Sequence, residues 1–311
     1  MAENGHVPVL FREVMDYLQP RGGGTYIDGT LGAGGHTAGL LQASAPNGRV
    51  LAFDRDPEAI AFAGQHLQLF QERLIFANTS YADMTAVAAA HGMQEVDGIL
   101  LDLGLSSRQL ADGDRGFSFM NEGPLDMRFD PQQALTAADL VNNLNEDALA
   151  DIFWRYGEVK SSRRIARAIA ARRPLTTTTE LAAIIAGEIG RRGRIHPATQ
   201  VFQALRIAVN SELDELERGL MAGIGLLKPG GRMAIISFHS LEDRFVKQSF
   251  RALSQNCICP PQQPVCTCGN QATVRLVTRK AVQASPQEQT ENPRSRSARL
   301  RVVEKLAAAS G

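Results

Sequence analysis

Four short apolar runs, each closed by a polar residue, mark the first hundred residues, and a fifth follows late in the chain. Tyr26-Ile27 runs into Asp28, Val50–Phe53 into Asp54, and Ile99–Leu101 into Asp102. Leu74–Ala77 is followed by Asn78-Thr79-Ser80-Tyr81, and Arg232–Phe238 by His239. Runs this short and this apolar, set between helical patterns, are the mark of strands buried on both faces. Helical spacing resumes at Ala38-Gly39-Leu40-Leu41, and again from Pro57, where proline suits a first helical turn. Strand alternating with helix predicts an α/β protein with a doubly wound sheet. Ligands in such sheets collect beyond the carboxyl ends of the strands, so Asp28, Asp54, Tyr81 and Asp102 are expected to line one crevice.

The pattern changes in the middle of the chain. Between Ala134 and Asn210 no strand is visible, and helix-start signals replace it. Asn145 suits an N-cap, and Thr177-Thr178-Thr179-Glu180 reads as a capping box. Pro174 and Pro197 mark breaks. One long helix is expected through Ser211–Glu217, then a tight turn at Lys228-Pro229-Gly230-Gly231. Thr273–Thr278 and Leu300–Val303 read as closing strands, Pro260–Pro264 and Ala284–Pro293 as loops. The organisation predicted is a nucleoside-binding domain over residues 1–112 and 209–311, interrupted by a helical, substrate-recognising insertion at 113–208.

Candidate chemistry centres on Asp28-Gly29-Thr30-Leu31-Gly32-Ala33-Gly34-Gly35-His36. Glycines after a strand let a ligand approach the main chain, and the following helix start presents unpaired N–H groups. Asp54 stands 26 residues after Asp28, where a carboxylate can accept from both hydroxyls of a ribose. A dinucleotide site needs a further glycine at Thr37. An acid before the glycines repels a pyrophosphate and suits the cationic end of S-adenosylmethionine (SAM). SAM is therefore the expected cofactor, and a nicotinamide-dependent oxidoreductase is the competing enzyme reading.

Net charge is zero over 311 residues, so only its distribution is informative. From Lys160 to Arg206 there are ten basic residues against two acids. Such a cluster in a neutral chain predicts a polyanion-binding face. Lys160, Arg163, Arg164, Arg167, Arg191, Arg192 and Arg194 are the candidate contacts to a nucleic-acid backbone. No apolar run reaches transmembrane length, and the first residues show no secretory pattern, so no membrane partner and a cytoplasmic location are expected. All four cysteines fall within Cys257–Cys268 as two C-x-C pairs. A thiolate metal site and reduced surface thiols both fit that spacing, and no metal is assigned.

Long ordered motifs give the chain a marked resemblance to the bacterial 16S rRNA cytosine-N4 methyltransferases (RsmH, or MraW). They include Tyr26–His36, Ala52–Pro57, Gly98–Gln109, Arg115–Met120, Pro124–Arg128, His196–Arg206, Ile236–Arg244 and Asn292–Ser297. The resemblance implies a class I SAM-dependent methyltransferase fold with an inserted helical domain. It implies as substrate a cytosine in the decoding centre of the small ribosomal subunit, with no DNA partner. Monomer and homodimer are both left open. Implied SAM contacts are Gly34, Gly35, His36, Asp54, Tyr81, Asp102 and Gln109, with Tyr81 standing where the family often has phenylalanine. Beyond strand four this chain reads Asp102-Leu103-Gly104-Leu105 instead of the D-P-P-aromatic motif of DNA amino-methyltransferases. Whether Asp102 serves the amine or the cofactor is therefore open. Ser106, Phe117, Ser237, Phe238 and His239 are the expected base pocket, since a flipped cytosine needs stacking and polar contacts to its edge. A non-catalytic ribosome assembly factor that keeps the pocket is the reading outside enzymology.

Overall fold

The structure, a computed structural model, describes residues 8–190, 196–260, 263 and 265–307. The chain divides into two compact units, one made of Met1–Gly104 with Leu216–Gly311, the other of Leu105–Glu215. In chain order the first stretch runs α1 (Phe11–Leu18), β1 (Thr25–Asp28), α2 (Gly35–Ala43), β2 (Arg49–Phe53), α3 (Pro57–His66), β3 (Leu74–Ala77), α4 (Met84–Ala90) and β4 (Val96–Asp102). The second unit holds α5 (Ser107–Ala111), α6 (Ala137–Asn143), α7 (Glu146–Gly157), α8 (Ser162–Ala170), α9 (Thr178–Ile189) and α10 (Ala198–Asn210). The chain then passes through α11 (Glu212–Leu226), β5 (Leu227–Ser237), α12 (Ser240–Leu253), β6 (Val274–Leu276), α13 (Pro286–Glu291) and β7 (Arg299–Lys305).

The seven strands form one sheet in the order β3-β2-β1-β4-β5-β7-β6. The first five are parallel, and β7 lies antiparallel to both β5 and β6. Period-two alternation divides the sheet's side chains between two cores. Ile27, Leu51, Phe53, Ile99, Leu101, Met233 and Ile235 pack with Met84, Leu220 and Phe250. Tyr26, Val50, Ala52, Leu100, Ala234, Ile236 and Leu300 pack with Val14, Leu40 and Ala63. Burial on both faces is why the strands read as unbroken apolar runs. Strand order reverses at β1, which pairs with β2 on one side and β4 on the other. That reversal is the switch point at which doubly wound sheets open a crevice.

The second unit has its own core, built from Leu149, Phe153, Ile165, Ile169, Leu181, Ile185, Val201 and Leu205. Its helices begin where the sequence places their caps. Asn145 Oδ1 accepts from Ala148 N at 2.8 Å, and Thr177 Oγ1 from Glu180 N at 3.2 Å. The irregular stretch before α6 is held by Asn210, which accepts from Phe129 N and donates to Met127 O, both at 2.7 Å.

Two expectations are corrected and one is placed inside a strand. Ser211 takes a left-handed conformation, φ 51°, so α10 ends there and α11 starts afresh. Lys228–Gly231 make the expected turn, though inside β5: Leu227 pairs with Val96 and Arg232 with Gly98, so the four residues loop out opposite Asp97, with Gly230 at φ 80°. Residues 286–291 form α13, because Ser285 caps Glu288 N at 3.1 Å and Pro286 opens the first turn.

Candidate active site

Asp28 ends β1 fully buried. Its Oδ2 accepts from Thr37 Oγ1 at 2.6 Å and its Oδ1 from Thr30 N at 3.1 Å. Both ends of the glycine turn are thus tied to one carboxylate, which burial pushes above its usual pKa range. Asp28 is wholly enclosed and shapes the turn, whereas Asp54 is only partly buried. Gly34 adopts φ 83° and leads directly into α2, where Cβ atoms at Gly34 and Gly35 would meet Leu67 at 2.9 Å and Pro8 at 2.4 Å. At Gly32 a Cβ would meet nothing nearer than Thr30 O at 4.0 Å, so the turn is open on that side.

Asp54 follows β2. Its Oδ2 accepts from Gly32 N and its Oδ1 from Asp56 N, each at 2.9 Å. Burial raises its pKa to about 6 against those two stabilising N–H groups. Each oxygen retains a lone pair, so the carboxylate is oriented and still able to accept from a diol. Tyr81 stands after β3, its ring pressed against the backbone of α11 where a Cβ on Gly219 would come within 2.3 Å.

Asp102 closes β4 on the other side of the switch point. Its backbone N–H donates to Thr30 Oγ1 at 2.6 Å, which fixes it to the glycine turn. Its side chain is otherwise hardly satisfied. Oδ1 is enclosed with no hydrogen-bond partner among the described residues, and Oδ2 lies 3.7 Å from His36 Nε2. His36 is itself buried on α2 and stacks on Phe11 at 5.9 Å. Burial first, then the nearby Asp28 and Glu242 charges, push the Asp102 carboxyl well above the ordinary carboxylate range. An enclosed carboxyl oxygen without a hydrogen-bonding partner is costly, and a cation or an N–H donor placed there removes the cost. The sulfonium and ammonium of SAM are such groups, and the open face of Gly32 leaves room beside them. The residues present fit SAM.

The expected base-pocket residues belong to both units. Ser237 is buried and donates to Arg299 O of β7 at 3.3 Å. His239 is the N-cap of α12: its Nδ1 accepts from Glu242 N at 3.4 Å, while Nε2 sits 3.0 Å from Glu242 Oε1 without hydrogen-bond alignment. Phe238 packs at the β5 end, 3.6 Å from where a Gly104 Cβ would stand. In the second unit Ser106 and Gln109 satisfy each other in a capping box, at 3.2 and 3.1 Å. Phe117 is a core residue there, 5.7 Å from Phe129. Backbone demands of helix starts and packing demands of the core explain these placements. Thr30, Thr37 and Glu242 join the site without having stood out in the sequence. Glu242 was legible, since His239-Ser240-Leu241-Glu242 has capping-box spacing.

Of the basic residues, Lys160, Arg163, Arg164 and Arg167 are exposed at and before α8. Arg164 pairs with Glu188 at 2.9 Å and Arg167 with Glu146 at 3.9 Å, so acids are nearer than the local sequence implies. Lys160 and Arg163 form no ion pair among the described residues. Arg191, Arg192 and Arg194 lie outside the described residues.

A parallel sheet closed by an antiparallel β7 between β5 and β6, with acids after β1, β2 and β4 around a glycine turn, defines a class I SAM-dependent methyltransferase. The family model described as the MraW methylase family matches residues 3–306, and the chain belongs to that family. It is similar to "Ribosomal RNA small subunit methyltransferase H" of Thermomicrobium roseum, 53% identical over 97% of this chain and 94% of that protein. A protein of the same name from Dehalococcoides mccartyi is 49% identical over 98% of this chain and 88% of its own. One from Geotalea uraniireducens is 49% identical over 98% and 100%. The nicotinamide-dependent alternative falls with this membership. Among the described residues no helix is long and apolar enough to cross a membrane.

Proposed function

We propose that this chain methylates the exocyclic N4 amine of a cytosine in the 16S rRNA of the small ribosomal subunit, in the decoding centre, using SAM. The observation that carries the reading is Asp102, a half-buried acid at the switch point of a methyltransferase sheet, whose Oδ1 is enclosed with no hydrogen-bond partner among the described residues. The relatives' shared name supports the substrate. SAM supplies an electrophilic methyl on a cationic sulfur. The N4 lone pair is delocalised into the cytosine ring and must be localised before it attacks. Asp102 Oδ1 accepts an N–H of that amine and is the acceptor for the proton the amine sheds. A carboxyl pushed above its ordinary range holds a proton more readily, which suits that second task. Gly34, Gly35, His36, Asp54, Tyr81 and Gln109 hold the cofactor.

The exposed face around α8, with Lys160, Arg163, Arg164 and Arg167, and the segment of Arg191, Arg192 and Arg194 contact the rRNA backbone. Exposed ion pairs such as Arg164–Glu188 contribute about 0–1 kcal/mol, so phosphates displace the acid at little cost. A ribosomal substrate makes the cytoplasm the place of action. The test is mass spectrometry of 16S rRNA nucleosides from cells lacking the protein, complemented with the wild-type chain or with Asp102→Asn. N4-methylation should vanish, return with the wild type, and stay absent or fall at least tenfold with the variant. Unchanged N4-methylcytidine in the deletion strain sinks the reading. Full rescue by Asp102→Asn sinks the role of Asp102 alone.

A further inference from the structure

The four cysteines lie in a loop that leaves the end of α12 and returns to β6, away from the residues assigned above. Its neck is closed without them. Asn270 Nδ2 donates to Gln255 O at 2.5 Å, Ala272 N to Asn256 Oδ1 at 3.1 Å, and Thr273 N to Leu253 O at 2.9 Å. Beyond the neck the loop's described residues form no core. Ile258 and Val265 are 60% and 68% exposed, and Cys257 and Cys266 are exposed with them. Apolar burial therefore does not gather the thiols. Yet the four sulfurs all lie within 4.8 Å of one another. Cys259 Sγ stands 3.9 Å from Cys266 Sγ, Cys266 Sγ 3.6 Å from Cys268 Sγ, and Cys268 Sγ 3.9 Å from Cys257 Sγ.

Four thiolates at about 2.3 Å from a zinc ion, tetrahedrally arranged, stand about 3.8 Å apart. The separations found match that edge, whereas a disulfide needs about 2.05 Å and an iron–sulfur cluster spreads its cysteines much further apart. Main-chain donors already point at the sulfurs. Cys259 N donates to Cys257 Sγ at 3.4 Å, and Ile258 N and Asn270 N to Cys268 Sγ at 3.5 Å each. Gly269, at φ 60°, makes the turn that aims Asn270 N back at the sulfur. N–H groups directed at thiolates are the outer partners that a metal–cysteine site requires.

We infer that Cys257, Cys259, Cys266 and Cys268 bind one structural zinc ion that staples the loop between α12 and β6. The sequence alone left these thiols between a metal site and reduced surface cysteines, and their convergence in three dimensions favours the metal. With all four positions filled by protein, the site has no open coordination place and is structural, not catalytic.

The full chain, produced in zinc-supplemented medium and dialysed, should contain about one zinc per chain by elemental mass spectrometry. Cobalt(II) added to the chelator-stripped protein under reducing conditions should give the thiolate charge-transfer and tetrahedral ligand-field bands of a four-sulfur site. Cys259→Ser/Cys268→Ser should lose both signals. If that variant fails to fold, the wild type decides: chelation should expose four thiols, silent before, to a thiol reagent. Absence of metal as isolated together with absence of cobalt bands overturns the assignment. So do disulfides among the four in protein isolated from a reducing cytoplasm, or thiols that react fully before chelation.

Discussion

At the scale of single residues, the site is governed by acids that burial makes reluctant to ionise. Asp54 shows how this acts on stability. Its pKa rises from 3.8 to about 6 in the folded chain, so in that interval the native state holds more protons than the unfolded state. Stability linked to Asp54 is therefore fullest below the unfolded value and is lost as pH rises through the folded one. Asp54→Asn removes the titration, and thermal midpoints measured without ligand between pH 4 and 6 should decline less steeply for the variant than for the wild type. Identical slopes would falsify the assignment of a raised pKa to Asp54. Asp54 and Asp102 were legible because each ends an apolar run. What those runs do not reveal is how each carboxylate is satisfied. Asp28 looks the same in sequence yet is wholly enclosed, with its oxygens bonded to Thr30 and Thr37. Ser237 and His239 likewise look like pocket residues in sequence, which does not reveal their bonds to β7 and to the start of α12.

At the scale of elements, the helix starts at strand ends decide the shape of the crevice. The start of α12 shows it. Glu242 is buried, and its Oε2 accepts from Phe238 N at 2.8 Å and His239 N at 3.2 Å. Its charge also helps to raise Asp102. Glu242→Ala leaves two main-chain donors short of an acceptor and should destabilise the fold by about 2 kcal/mol. Glu242→Gln keeps an acceptor and should cost less than half as much. Calorimetry of both variants beside the wild type checks this, and equal destabilisation would show that the acceptor is not what matters. The helices α2, α3 and α9 could be read from glycine, proline and capping signals, since those act within one turn. α13 hid behind polar composition, and the break at Ser211 behind continuous helical spacing, because a left-handed residue other than glycine leaves no local mark.

At the scale of the whole chain, the doubly wound character follows from the alternation of runs, but the order of the strands does not. The strand at 299–305 is legible, but nothing in it announces that it inserts between β5 and β6 and runs against its neighbours; its pairing with β5 joins segments far apart in the chain. Charge distribution is the opposite case, since it survives folding unchanged in kind. A chain of zero net charge has no global attraction to RNA, so association must depend on where its cations are concentrated. Around α8 the exposed Lys160, Arg163, Arg164 and Arg167 have only Glu146 and Glu188 as ion-pair partners among the described residues. Reversing all four to glutamate leaves the buried core of that unit untouched, so the fold should hold. Affinity for small subunits should then fall by at least tenfold at moderate salt. Each phosphate that the variant no longer neutralises should also flatten the slope of log K against log salt by roughly 0.7 to 0.9. Titrations of labelled protein into purified subunits at several salt concentrations measure both quantities. A variant that binds with the wild-type slope and affinity would move the RNA-facing surface elsewhere, whereas a weaker affinity with an unchanged slope would point to altered packing instead of fewer neutralised phosphates.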